Sequence, residues 1–295
     1  MGFERCHPAV NFIYFAAVIA GTVLFTNPAY VAVSYVCAFI YSVKRNGWNG
    51  LLFDLALLPF IAAFMWYYIS FNHFGATVLW QNSIGNNMTL EALVCGLCTG
   101  FAAAAVIMWM SCVHSVVSAD KVVYLFGRIS PRLALFLAVL LRMVPRIKKE
   151  TGRINTAQKG IGKGASQGGP FGMVRNWIRI FSIMISWIIE AFGNASDSMR
   201  SRGSLLRGRR AFSIYRFDDR DRVFVVAMFF FISGCVTAML LKQTAASFSP
   251  RIIIPPFTAV SVIFCVLYAA LCLMPFVLEV RTEIIFRNAR RRSIS

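Results

Sequence analysis

The sequence predicts an all-α polytopic membrane protein, with about six transmembrane helices and long helices on the cytoplasmic side. Three observations predict it. Of the 295 residues, 58% are hydrophobic. Only 14% are charged, against roughly 25% in a soluble domain. The basic residues are also unevenly placed: residues 72–89 contain no Lys or Arg, whereas residues 113–221 contain nineteen.

A span of the hydrocarbon layer needs about 20 apolar residues. Six runs qualify, at 11–26, 29–43, 51–71, 90–112, 222–242 and 254–279, the second being short. Basic residues mark cytoplasmic loops. Arg5 precedes the first run, and Lys44 and Arg45 follow the second. Arg281, Arg287, Arg290, Arg291 and Arg292 follow the last. An even number of spans with both termini in the cytoplasm satisfies nearly every loop, Lys242 and Arg251 lying beside the connection between the last two. The expected location is the cell membrane. No cleavable signal is expected, because Cys6-His7-Pro8 lacks a basic leader and a small-residue cleavage site. The organisation is then a membrane domain of four spans at 1–112, a cytoplasmic region at 113–221, and a two-span hairpin with a basic tail at 222–295. The net charge of +18 serves orientation and docking, and it suits anionic lipid headgroups. It argues no nucleic-acid partner, since topology alone accounts for its distribution.

Within the spans, Cys95-x-x-Cys98 has the spacing of a redox or zinc pair, but it sits in an apolar helix without a second pair. Small packing residues are the simpler reading. Gly96 and Gly100 give that helix a face for close packing, either within the chain or on a partner. Asp54, Glu91 and Glu279 lie at span edges, where structural roles are expected; Thr89 is placed to cap the helix that holds Glu91. His7, His73 and His114 make no ligand spacing. Gly162-Lys163 is followed by Gly164, and Ala157 stands where a phosphate-binding loop needs its first Gly. No catalytic residue, cofactor site or metal site is expected, and the chain reads as no enzyme.

Region 113–221 reads as helices. Ser130-Pro131 starts one. Arg142, Arg146, Lys149 and Arg153 recur along it as a cationic stripe, with Pro145 a point of bending. It ends in Gly160-Ile161-Gly162-Lys163-Gly164, and the five glycines of 160–170 predict a linker or tight reversal. A second helix is expected from about Met173 to Ser201. Val174, Trp177, Ile178, Phe181, Ile185, Ile188, Ile189 and Phe192 form its apolar stripe; Arg175, Arg179, Ser182, Ser186 and Glu190 form a polar one. Its length permits a seventh span, but that crossing would put the basic 194–221 segment outside, so an interfacial or partner-packing helix is expected. Trp177, Phe181, Ile185 and Ile188 are the candidate partner surface, facing another membrane subunit or the other long helix. Ser201-Arg202-Gly203 closes the helix. By itself an Arg-Gly end is ordinary, since Gly is common past a helix and Arg suits the dipole there.

Taken in order, several segments together resemble the T component of energy-coupling factor (ECF) transporters, including the cobalt-transport Q-type membrane proteins. They are His7-Pro8-Ala9-Val10-Asn11-Phe12-Ile13-Tyr14-Phe15, Leu125-Phe126-Gly127-Arg128 and Leu141-Arg142-Met143-Val144-Pro145-Arg146. Ala157-Gln158-Lys159, Ser198-Met199-Arg200-Ser201-Arg202-Gly203 and Tyr215-Arg216-Phe217-Asp218 complete the set. The resemblance implies a transmembrane scaffold with long coupling helices. Each helix would end in a short Ala-Arg-Gly-like motif docked in one of two ABC-type ATPase subunits. The same helices would offer an apolar surface to a small membrane substrate-binding subunit for vitamin or metal-ion uptake. Ser201, Arg202 and Gly203 match the second motif. At the first, Lys159, Gly160, Ile161 and Gly162 align, with Ile161 where Arg is usual and Lys159 or Lys163 as the nearby charge. The alternatives are a self-sufficient transporter or channel, which should show polar broken helices at a midplane site, and a membrane-embedded enzyme, which should show convergent titratable groups.

Overall fold

The computed structural model describes residues 3–292 except 73, 82–86, 204–214, 216, 250 and 257. The described residues form eight α-helices: α1 (Pro8–Leu24), α2 (Pro28–Phe71), α3 (Leu90–Val116), α4 (Ala119–Ile129), α5 (Pro131–Gly160), α6 (Pro170–Ser201), α7 (Asp219–Leu240) and α8 (Ala259–Arg292). A small antiparallel ribbon joins α2 to α3, pairing β1 (Val78–Gln81) with β2 (Asn87–Thr89). It occupies the connection that lacks Lys and Arg. Five helices are long and apolar enough to cross a membrane: α2, α3, α6, α7 and α8; α1 is a shorter apolar helix. The chain is an all-helical polytopic membrane protein.

It divides into two compact units. Residues 1–118 and 215–295 form one, and 119–214 form the other. The expected boundaries of 113–221 lie a few residues outside these, because α3 runs to Val116 and α7 opens at Asp219.

In the first unit, α2 explains the short second span. Ser42 Oγ donates to Asp54 Oδ1 at 3.1 Å. In a straight helix, residues twelve apart are separated by about 18 Å. The chain therefore doubles back between them, at Gly47, whose φ of 62° and ψ of −138° suit only glycine. The runs at 29–43 and 51–71 are the two arms of this turn. α3 packs along both arms. A side chain at Gly96 would meet the Tyr68 ring at 3.1 Å, and one at Gly100 would meet Ile61 at 3.3 Å. The small face of α3 is thus internal packing. Thr89 caps α3 as expected, accepting from the Ala92 N–H at 3.3 Å, and Glu91 accepts from the Thr77 hydroxyl at 2.8 Å.

The core is aromatic: Phe3, Tyr14, Phe15, Tyr41, Trp109, Phe224 and Tyr268 are buried together. Several of its polar groups find partners, as is favoured where water is absent, whereas the buried Tyr30 hydroxyl makes no hydrogen bond. The Tyr14 hydroxyl donates to the Cys272 carbonyl at 2.9 Å, and Thr22 shares hydrogen bonds with Ser34 at 2.7 Å and Tyr268 at 3.2 Å. None of the eight cysteines is in a disulfide. Two distant segments of the resemblance also meet. His7 caps α1, its Nδ1 accepting from the Ala9 N–H at 3.3 Å, and its own N–H donates to Asp221 of α7 at 3.3 Å. The His7 ring lies 5.6 Å from that of Phe217. One expected helical stretch is not helical. Pro255 and Pro256 hold 254–256 and Thr258 out of α8, and Ile253 pairs with Ser247 instead.

In the second unit, α4 packs on α5 and α5 on α6. α5 starts behind Ser130 as expected, but Ser130 makes no side-chain cap bond. Pro145 lies inside α5, which is assigned as one helix. α6 begins at Pro170 rather than Met173, because Pro fits the first helical position.

Candidate functional site

The candidate site consists of the ends of α5 and α6 and one face of α6, all within the 119–214 unit. α5 ends in a Schellman turn. The Lys163 N–H donates to the Gln158 carbonyl at 2.9 Å and the Gly162 N–H to the Lys159 carbonyl at 3.1 Å. Ile161 is the cap residue (φ −103°, ψ 19°), and Gly162 follows in the left-handed region at φ 72°. α6 ends alike. Arg202 is the cap residue (φ −84°, ψ 9°), Gly203 follows at φ 74°, and its N–H donates to the Arg200 carbonyl at 3.1 Å. Ile161-Gly162 and Arg202-Gly203 are therefore conformational equivalents. Ile161 occupies in the first turn the backbone position that Arg202 occupies in the second. Lys159, Gly160, Ile161, Gly162, Ser201 and Arg202 are all exposed, and Gly203 is half-buried. Ser201 Oγ donates to the Ser198 carbonyl at 2.9 Å, which leaves the Arg202 side chain at the very end of the helix.

The glycine-rich segment between the helices is a built reversal rather than a linker. Asn176, buried on α6, donates through Nδ2 to the Gly164 carbonyl at 3.1 Å and the Gln167 carbonyl at 2.9 Å. The Ala165 N–H donates to Asn155 Oδ1 of α5 at 3.0 Å, and the Gly164 N–H to Gln167 Oε1 at 2.9 Å. These three amides fix the turn from both helices. Sequence reading passed over them. The signal was present in Asn176, which lies four residues before Ile180 and so on the α6 face turned toward α5.

That inward face is set by spacing and confirmed by contacts. Asn176, Ile180 and Ala191 are buried. Met184 accepts a hydrogen bond from Thr151 of α5 at 2.9 Å, and Trp187 lies under the Arg146 guanidinium, 5.4 Å from the ring centre. The expected apolar stripe lies to one side of this face. Trp177, Phe181 and Ile185 are 55%, 57% and 41% exposed, and Val174, Ile178 and Ile189 extend the same arc. Ile188 and Phe192 depart from the others in being half-buried, Ile188 standing beside Trp187 at the edge of the α5 contact. The arc is therefore not the surface that α6 offers to α5, and that part of the expectation is corrected. Arg175, Ser182, Ser186 and Glu190 remain on the exposed polar side.

Elsewhere, a cleft of about 170 Å³ opens between α1, α7 and α8, walled by Ala17, Gly21, Phe25, Cys235, Met239 and Tyr268. Among the described residues, no three of His, Cys, Asp and Glu converge as metal ligands would; His73 lies outside those residues. The arrangement suits docking: two exposed helix ends of matched geometry on a braced hairpin, flanked by an uncovered apolar arc. No protein-family model and no curated protein matches this chain.

Proposed function

We propose that this chain is the transmembrane scaffold of an ECF-type importer, carrying out no reaction of its own. Two ABC-type ATPase subunits would dock on the ends of α5 and α6, and a small membrane substrate-binding subunit would pack on the α6 arc. Nucleotide-driven movement of the helix ends would then tilt the substrate subunit, delivering a vitamin or metal ion. The observation that carries this reading is the equivalence of Ile161-Gly162 and Arg202-Gly203: two helices in one hairpin end in the same exposed, glycine-terminated turn. A pair of like ends suits a pair of like partners. The α6 arc adds a second surface, since a contiguous exposed set of large apolar side chains marks a protein or lipid contact.

The two surfaces make different demands. Arg202 would meet acidic groups through charge-assisted bonds. Breaking one side of a desolvated charge pair costs on the order of 2–5 kcal/mol, a loss of tenfold or more in affinity. Phe181 would lose roughly 1.5–3 kcal/mol of apolar burial. The test is co-purification and uptake at matched expression. Arg202→Glu should lose the ATPases and keep the substrate subunit; Phe181→Asp should do the reverse. Lys159→Glu and Lys163→Glu should cost less than Arg202→Glu. Full assembly and uptake by the Arg202 variant would overturn the docking assignment.

A further inference from the structure

α8 outlasts the apolar layer. Residues 259–278 contain no charged side chain, and twenty helical residues rise about 30 Å, the thickness of the hydrocarbon core. The helix then continues from Glu279 to Arg292, a stretch with two acids and five arginines. Both acids are engaged inside the unit. Glu283 pairs with Lys44 at 2.8 Å. Glu279 accepts a hydrogen bond from the Tyr41 hydroxyl at 3.4 Å and lies 4.0 Å from Arg45. Arg45 in turn donates to the Ser115 hydroxyl at 3.0 Å, so α2, α3 and α8 are fastened together at this level.

A helix turns 100° per residue, so the side of α8 opposite Glu279 and Glu283 carries Arg281, Ile284 and Ile285, while Arg287 follows Glu283 by one turn. All four are exposed. Glu279 is buried and Glu283, though exposed, is paired with Lys44, which leaves the arginines uncompensated beside isoleucines that water would not favour. Such a mixture suits the depth at which headgroups meet acyl chains. Trp48, 73% exposed in the α2 turn close to Arg45, lies at the same end of the unit, and Trp is favoured at that depth.

We propose that this end of α8 is a binding site for anionic phospholipid, in which Arg281 and Arg287 hold the headgroup phosphate and Ile284 and Ile285 enter the upper acyl layer. Charge complementarity selects the occupant. The exposed acid of this stretch, Glu283, is already paired with Lys44, which leaves the arginines to a ligand, and the apolar residues lie within two turns of the span, where lipid is the neighbour at hand. The site is independent of any ATPase partner.

The full-length protein, extracted from vesicles of phosphatidylcholine with phosphatidylglycerol, is examined by native mass spectrometry for retained lipid. Phosphatidylglycerol should be retained over phosphatidylcholine, less so at high salt. Each arginine removed should weaken retention about fivefold. Arg281→Gln with Arg287→Gln should therefore lose most of the preference, and Arg251→Gln should keep it. Equal retention of the two lipids by the natural protein would overturn the proposal. So would an unaltered preference in the double variant, or displacement of the lipid by soluble glycerol phosphate. Loss of co-purifying ATPases with lipid retention intact would also overturn it, assigning the face to protein. If the double variant does not fold, the lipid preference and salt dependence of the natural protein decide.

Discussion

Gly160 and Gly162 are two residues apart, and the structure gives them opposite roles. Gly160 is the last residue of α5, whereas Gly162 has φ 72°. A Cβ at either would meet nothing within 4 Å, so only the backbone distinguishes them. Gly160→Ala should stabilise the end of α5 by roughly 0.5–1 kcal/mol, because alanine loses less freedom on folding. Gly162→Ala should destabilise it by roughly 1–2 kcal/mol, the cost of a left-handed L-residue. Amide hydrogen exchange in the last turn of α5 reads both signs; a stabilising Gly162→Ala would contradict the Schellman turn. Gly203, at φ 74°, should respond as Gly162 does. Arg202 differs from all three in that its backbone makes no special demand: it is exposed at a helix end, so its reversal to Glu costs only the dipole contribution of roughly 0.3–1 kcal/mol, and a larger loss of partners reports docking.

At the scale of elements, the hairpin of α5 and α6 depends on a side chain that touches neither helix end. Asn176 satisfies the carbonyls of Gly164 and Gln167, and Gly164 is buried. Asn176→Leu would leave both carbonyls without that donor. An unsatisfied buried acceptor costs about 1–3 kcal/mol. The reversal should then open more often, and limited trypsin digestion should cut after Lys163 roughly tenfold faster, in the regime where cleavage follows the open population. An unchanged cleavage rate would show that Asn155 and Gln167 hold the turn by themselves. The composition of 160–170 reads as a linker or tight reversal, and the physical reason that it is the reversal lies outside the segment. Donors and acceptors reach it from Asn155 and Asn176, which no reading of the glycines alone discloses.

For the whole molecule, the distribution of charge is the governing fact. The ribbon of β1 and β2 lies in a connection without Lys or Arg, whereas the reversal of α5 and α6 lies in the most basic region. The positive-inside rule then predicts opposite sides of the membrane for them. In a cysteine-free background, Trp80→Cys and Ser166→Cys should label from opposite sides of sealed vesicles; both positions are exposed. Labelling from one side would require an even number of crossings between them, so that α4 or α5 would have to cross the membrane as well as α3.

The sequence by itself determined the class of molecule, because the absence of charge over about 20 residues leaves a segment no better environment than lipid. It also determined where α5 and α6 end, since glycine past the last turn and proline at the first act through the local backbone. Ile161 and Arg202 could be aligned from their neighbours before their φ and ψ values were known. Only the tertiary structure decided which faces are used. It turned Gly96 and Gly100 onto Tyr68 and Ile61, placed Asp54 beside Ser42 through the turn at Gly47, and brought His7 to Asp221 across 214 residues of chain. It also separated Met184 and Trp187, which meet α5, from Trp177 and Phe181, which remain exposed on the same helix. Helical periodicity groups apolar residues into a stripe. Which part of the stripe is covered depends on where the neighbouring helix lies, and that is fixed by contacts between residues far apart in the chain.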